Sequence, residues 1–287
     1  MNKIKEKLME KVFLTAALTS VAAVLLICVF LFANGLPAIG EIGIADFMTG
    51  TKWKPNDVPP SFGILPMIIG SIYITVGAII IGVPTGIMTA LFLAKVCPAK
   101  IYKIAKPATD ILAGIPSVVY GFFGMTVIVP TVRSIFDGDG NNILSASILL
   151  GIMILPTIIS VSESAIRAVP ESYYEGSLAL GVSHYRSLFF TVLPAAKSGI
   201  AAAVILGIGR AIGETMAVNM VAGNQARIPN SILKGVRTLT TNIVMEMGYA
   251  TELHREALIA TGVVLFIFIL IINLTFSYMK RRGKSEK

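Results

Sequence analysis

Six stretches of this chain run for roughly 20 residues or more almost without charge, which is the length an α-helix needs to cross a bilayer. Backbone amides in hydrocarbon have no water to bond, so only helices and closed barrels survive there. The stretches are 12–34, 64–94, 111–132, 143–162, 198–221 and 257–279; they do not alternate as barrel strands would, and the fifth is apolar except for Arg210 and Glu214. With 55% of residues hydrophobic and 14% charged, the chain has too little polar surface for a soluble domain of its length. The expected fold is an all-α integral membrane protein of about six transmembrane helices. The second stretch is long for one upright helix and contains Gly82, Val83 and Pro84, which predicts a tilt or kink there. The first follows a basic start, yet it exceeds a signal-peptide apolar core and no small-x-small cleavage site follows, so it reads as a retained helix.

Basic residues set the orientation, because Lys and Arg collect on the cytoplasmic side. Lys3, Lys5, Lys7 and Lys11 precede the first span, Lys95, Lys100, Lys103 and Lys106 follow the second, Arg167, Arg186 and Lys197 separate the fourth and fifth, and Lys280, Arg281, Arg282, Lys284 and Lys287 end the chain. The other side carries fewer, so both termini are expected in the cytoplasm. The net charge of +8 is then explained by topology and anionic membrane lipid, and not by nucleic acid. Two outer segments, 35–63 with Trp53 and 222–256, read either as docking surfaces or as plain connections with an interfacial tryptophan. The expected organisation is a first unit of 1–63, a transmembrane domain of 64–279 with a cytoplasmic loop at 163–194, and a basic tail of 280–287.

Cofactor chemistry finds no support. Cys28 and Cys97 lie in or at the end of different spans, far from metal or redox spacing, and His184 and His254 are expected in loops on opposite sides of the membrane. No span holds a histidine, and Asp110, expected to open the third span, is the one aspartate bordering any, which argues against an intramembrane enzyme. Pro84, Pro116 and Pro156 interrupt apolar runs, as packing or gating kinks.

The loop 163–194 has the punctuation of two short helices. Pro170 and Glu171 suit a helix start, Gly181 a left-handed close, and Ser183 an N-cap for a second helix running to Pro194. Tyr185, Leu188, Phe189 and Val192 are spaced to give that helix one apolar face, for a partner, the bundle or the membrane surface. Arg210 falls near the middle of its span, where an arginine costs roughly 2.5–3.5 kcal/mol on insertion scales. Glu214, four residues on, is expected to share its helix face and pair with it. The pair reads equally as a self-satisfied packing contact or as the place where an oxyanion meets a guanidinium; Gly207, Gly209 and Gly213 suit close approach or plain helix packing.

Two sets of residues carry a family resemblance. Glu175, Gly176, Ser177 and Gly181, followed after a nine-residue gap by Thr191, Val192, Leu193 and Pro194, resemble the E-A-A-x3-G-x9-I-x-L-P pattern of ABC importer permeases, departing from it at Gly176, Ser177 and Thr191. The runs from Gly207 through Arg210, Glu214 and Val218 to Asn224, from Ile115 to Gly124, and from Phe62 to Pro66 resemble the PstC-type permeases of phosphate importers. The resemblance implies a type I ABC importer permease fold, with Glu175, Gly181, Leu193 and Pro194 coupling it to cytoplasmic ATPase subunits and Arg210 and Glu214 on the substrate route. It implies a PstA-like sister permease and an extracytoplasmic phosphate-binding protein as further partners. No G-x-x-x-x-G-K-[ST] loop occurs, so ATP would be hydrolysed by a partner and no cofactor is expected here. Sulfate or molybdate as substrate, or a phosphate-signalling role without transport, are the alternatives.

Overall fold

The computed structural model describes the backbone of residues 3–285 and the side chains of 5–275. The elements are α1 (Lys3–Ile42), α2 (Ile44–Thr49), a hairpin of β1 (Trp53–Lys54) and β2 (Ser61–Phe62), α3 (Leu65–Leu91), α4 (Ala99–Gly114), α5 (Ser117–Phe123), α6 (Val129–Phe136), α7 (Ile143–Arg167), α8 (Glu171–Ala179), α9 (His184–Ser187), α10 (Leu193–Ala195), α11 (Lys197–Gly213), α12 (Met216–Val221), α13 (Leu239–Glu246) and α14 (Glu252–Ser285). Wide π-type turns at Phe92–Val96, Gly124–Ile128 and Leu188–Val192 extend α3, join α5 to α6 and join α9 to α10.

Five continuous helical runs are long and apolar enough to cross a membrane: Lys5–Ile42, Leu65–Val96, Ser117–Phe136, Ile143–Arg167 and Glu252–Thr275. The pair His184–Ala195 and Lys197–Gly213, bent by 72°, makes the sixth among the described residues. The sequence placed these runs well and their ends less well. Helix α1 continues through Pro37 to Ile42, beyond the expected end at 34. The third crossing starts at Ser117, not at 111, because Pro116 forces Ile115 into an extended conformation and ends α4. Asp110 therefore lies inside α4 and does not open a span; it pairs with Lys106 at 2.9 Å. Proline alone does not break the other runs: α3 and α7 continue through Pro84 and Pro156. The basic residues of the tail are helical to Ser285, and their side chains lie outside the described residues.

Helix α7 is the centre. Its Ala146, Leu149, Leu150, Met153, Ile154 and Ile158 are buried against α3, α5, α11 and α12. By contrast, α1 turns Val24 to Ile27 outward and packs along α14, where Gly35 lies so close to Ala260 and Val263 that a Cβ would clash, and where Phe32 meets Phe266 edge to face at 5.9 Å.

At the hairpin end the two outer segments fold onto each other. Trp53, 6% exposed, is no interfacial tryptophan: its indole Nε1 donates to Glu246 Oε2 at 2.8 Å. His254, which is in the first turn of α14 and not in a loop, meets the same oxygen through Nε2 at 2.9 Å, and Arg237 Nη1 donates to Glu246 Oε1 at 2.5 Å. Arg237 also bonds Asn242 Oδ1 at 3.0 Å and the Asn224 carbonyl at 3.2 Å. Removing the carboxylate strands a cation, which costs roughly 3–5 kcal/mol where both partners are buried. Glu246→Ala is therefore expected to lower the melting temperature of the purified protein sharply and to open the hairpin to protease, with Trp53→Phe losing less, about 1–3 kcal/mol.

Candidate functional site

Arg210 lies in the last turn of α11, about 20 Å from the start of that helix at 1.5 Å per residue. Its positive charge there suits the partial negative charge of a helix C-terminus. The side chain is half-buried and reaches α7, where Nη1 donates to Thr157 Oγ1 at 3.4 Å, a long bond. Among the described residues the guanidinium makes no other hydrogen bond and no ion pair. Gly207 on the same helix is packed against Ile158, while Gly209 and Gly213 have open space where a side chain would be.

The expected Arg210–Glu214 pair is absent. Helix α11 stops at Gly213, Glu214 takes an extended conformation with ψ of 131°, and α12 begins at Met216, so the four-residue helical spacing does not hold. Glu214 is instead bonded into the break: Oε1 accepts from the Ala217 amide at 3.2 Å, and its carbonyl accepts from Thr240 Oγ1 at 3.0 Å. It caps α12, leaving the arginine free of a carboxylate. Sequence reasoning also passed over Thr157 and Tyr120. The buried Tyr120 donates to the Leu112 carbonyl at 2.8 Å across the α4–α5 break, within electrostatic reach of Arg210. Its place within the run from Ile115 to Gly124 was the available signal.

The loop of α8 to α10 follows its punctuation more closely. Pro170 precedes α8, and Gly181 at φ of 80° closes it, its amide donating to the Leu178 carbonyl at 2.9 Å and that of Val182 to Ser177 at 3.2 Å. Ser183 precedes α9 in extended conformation, without a side-chain bond. Tyr174 Oη and His184 Nδ1 lie 2.6 Å apart, and the Ser177 and Ser187 hydroxyls are in contact, which fastens α9 to α8. Glu175 is exposed on α8, Leu193 is half-buried, and Pro194 is exposed just before the 72° bend into α11. The expected apolar face divides: Leu188 and Val192 are buried with Ser187, whereas Tyr185 and Phe189 are exposed. The π-type turn at Leu188–Val192 rotates less per residue than an α-helix, so the even spacing read from sequence does not map onto one face. Leu180, 86% exposed, and Phe190, 76% exposed, join Tyr185 as apolar surface on this end.

The chain matches, over residues 82–284, the family described as "Binding-protein-dependent transport system inner membrane component". It is 37% identical over 289 residues to the "Probable ABC transporter permease protein YqgH" of Bacillus subtilis, covering 99% of this chain and 94% of that one. It is 33% identical to the "Phosphate transport system permease protein PstC" of Mesorhizobium japonicum, covering 93% and 89% of the two chains. It is 32% identical to the "Probable phosphate transport system permease protein PstC" of Methanocaldococcus jannaschii, covering 99% and 97%. Among solved structures, a chain of a bacterial ABC transporter involved in the import of the acidic polysaccharide alginate superimposes with TM-score 0.65 at 15% identity, over 98% of this chain and 99% of that one. A chain of the inward-facing MetNI methionine ABC transporter gives 0.59 at 19%, over 77% and 94%.

A capping oxygen is worth about 1 kcal/mol to the helix it starts. Glu214→Ala is expected to destabilise the purified protein by about that much in thermal unfolding, and Glu214→Gln, which keeps the oxygen, to lose less.

Proposed function

The chain belongs to the family of binding-protein-dependent transport system inner membrane components, and on that premise we propose that it is a permease subunit of an ATP-driven importer that carries inorganic phosphate across the cell membrane by alternating access. The observation that carries this reading is Arg210, a permanent charge half-buried between α11 and α7, held by one long bond to Thr157 and flanked by the open faces of Gly209 and Gly213. A guanidinium so lightly satisfied has donors to offer a passing tetrahedral oxyanion, and its planar fork matches two phosphate oxygens at once. Phosphate is favoured over other oxyanions by the PstC-named relatives, which match along nearly the whole chain.

In this reading residues 64–279 form the transporting domain, with the loop 163–194 and both termini in the cytoplasm. Glu175, Gly181, Leu193 and Pro194 shape the surface on which an ATPase subunit docks, and the exposed Leu180, Tyr185 and Phe190 give that surface its apolar content. ATP is hydrolysed by that partner. A PstA-like sister permease completes the pathway, and an extracytoplasmic phosphate-binding protein delivers substrate at the hairpin end. Glu214 serves the route by holding the break between α11 and α12 open beside Arg210.

Arg210→Gln is expected to abolish phosphate uptake by the reconstituted complex while the chain still co-purifies with its ATPase; normal uptake would overturn the assignment. Gly181→Val forces a branched side chain into a left-handed conformation that costs roughly 1–2 kcal/mol. It is expected to weaken ATPase co-purification while leaving the transmembrane helices intact by circular dichroism.

A further inference from the structure

Helix α4 has no buried residue, and none of its side chains belongs to the apolar core, although it connects the end of α3 to the break beside Tyr120. Ile104 is 75% exposed and Ile101 and Ile111 are also outward. What fastens α4 to the bundle is polar. Tyr102 Oη donates to Glu163 Oε1 at 2.8 Å, Lys106 Nζ donates to Ser160 Oγ at 3.2 Å, and the Arg167 guanidinium lies 4.7 Å over the Tyr102 ring. Glu163 is the shared acceptor, with its side chain 4% exposed near the end of α7. Its Oε1 also accepts from Arg167 Nε at 2.9 Å, and Arg167 Nη2 donates to the Leu93 carbonyl at the end of α3. A phenol is a donor at neutral pH, and the bond to Glu163, with burial, raises that of Tyr102 further above its ordinary range.

Glu163 stands where α7, α4 and the end of α3 meet. Past the end of α7, Glu171 of α8 pairs with Lys95 at 2.6 Å, which ties the loop to the end of α3. At the other end of α4, Tyr120 bonds back to Leu112 beside Arg210. The remaining oxygen, Glu163 Oε2, accepts no hydrogen bond and faces Lys106 Nζ at 3.5 Å, while Lys106 lies closer to Asp110 of its own helix, at 2.9 Å. A displacement of under about 1 Å would bring the ammonium against Glu163, exchanging a screened contact with the exposed Asp110 for a less screened one with the buried Glu163. Such a contact can hold α4 in two positions.

We propose that Glu163 is a positioning residue that transmits movement of the 163–194 loop to α4, and through the α4–α5 break to the surroundings of Arg210, by exchanging Lys106 with Asp110. The inference rests on the importer reading, in which that loop is moved by the ATPase.

The test uses the complete complex in liposomes, with anion transported and ATP hydrolysed measured together. Glu163→Gln is expected to hydrolyse ATP while moving fewer anions per ATP, by roughly fivefold or more on the scale of allosteric couplings, and Glu163→Asp to restore part of the ratio. Lys106→Met changes a partly exposed side chain on the α4 side; it is expected to lower the same ratio and remains informative if the Glu163 variants do not assemble. Wild-type stoichiometry in Glu163→Gln or in Lys106→Met would overturn the proposal, as would a loss of hydrolysis and transport in equal proportion. A wild-type complex that hydrolyses ATP and moves another oxyanion, but no phosphate, contradicts the substrate assignment and leaves the coupling ratio measurable with that anion.

Discussion

The fold depends on how closely α3 approaches α7. Lipid tails are as apolar as leucine, so two helices gain little from hiding apolar surface from a bilayer and must instead pack backbone near backbone. Gly77, Gly82 and Gly86 provide that approach, since a Cβ at these positions would run into Ser147, Ile154 or Ile158. With α3 seated, the other face of α7 is free for α11 and α12, and Arg210 comes to lie opposite Thr157. A larger residue at one of the three glycines would move the arginine without touching it.

Each end of the bundle is pinned by a buried carboxylate. At the hairpin end, Glu246 has both oxygens engaged, by Trp53 and His254 on one and Arg237 on the other. At the loop end, Glu163 has one oxygen fully engaged and the other paired with Lys106 at 3.5 Å without a hydrogen bond. The first arrangement is closed and resists change, because any displacement leaves a desolvated charge unpaired. The second has an acceptor in reserve. A permease that rocks about its centre has use for a fixed end and an adjustable end, and these two clusters differ in that sense.

The apolar runs were legible because the bilayer imposes a length and a polarity that sequence records directly. What was not legible arises where distant segments meet. Trp53 and Glu246 are 193 residues apart, so nothing local marks the tryptophan as a donor to a carboxylate. The separation of Arg210 from Glu214 follows from a break stabilised by Thr240, on another segment, and by the Ala217 amide; their four-residue spacing suggested a pair because it assumed an unbroken helix. Gly181 and Pro170 could be placed since their backbone preferences are local, whereas the division of the apolar face at Tyr185 and Phe189 depended on a π-type turn without a comparable local mark.

Along most of its length helix α1 takes its support from α14, and only past Pro37 does it enter a core, through Ala38 near the hairpin. Helix α1 is made well before its neighbour. Until α14 is in place, the outward length of α1 has lipid for its neighbour and no helix to fix its position around the bundle. The helices between them can therefore assemble on α7 before α14 arrives, and α1 finds its seat when α14 does.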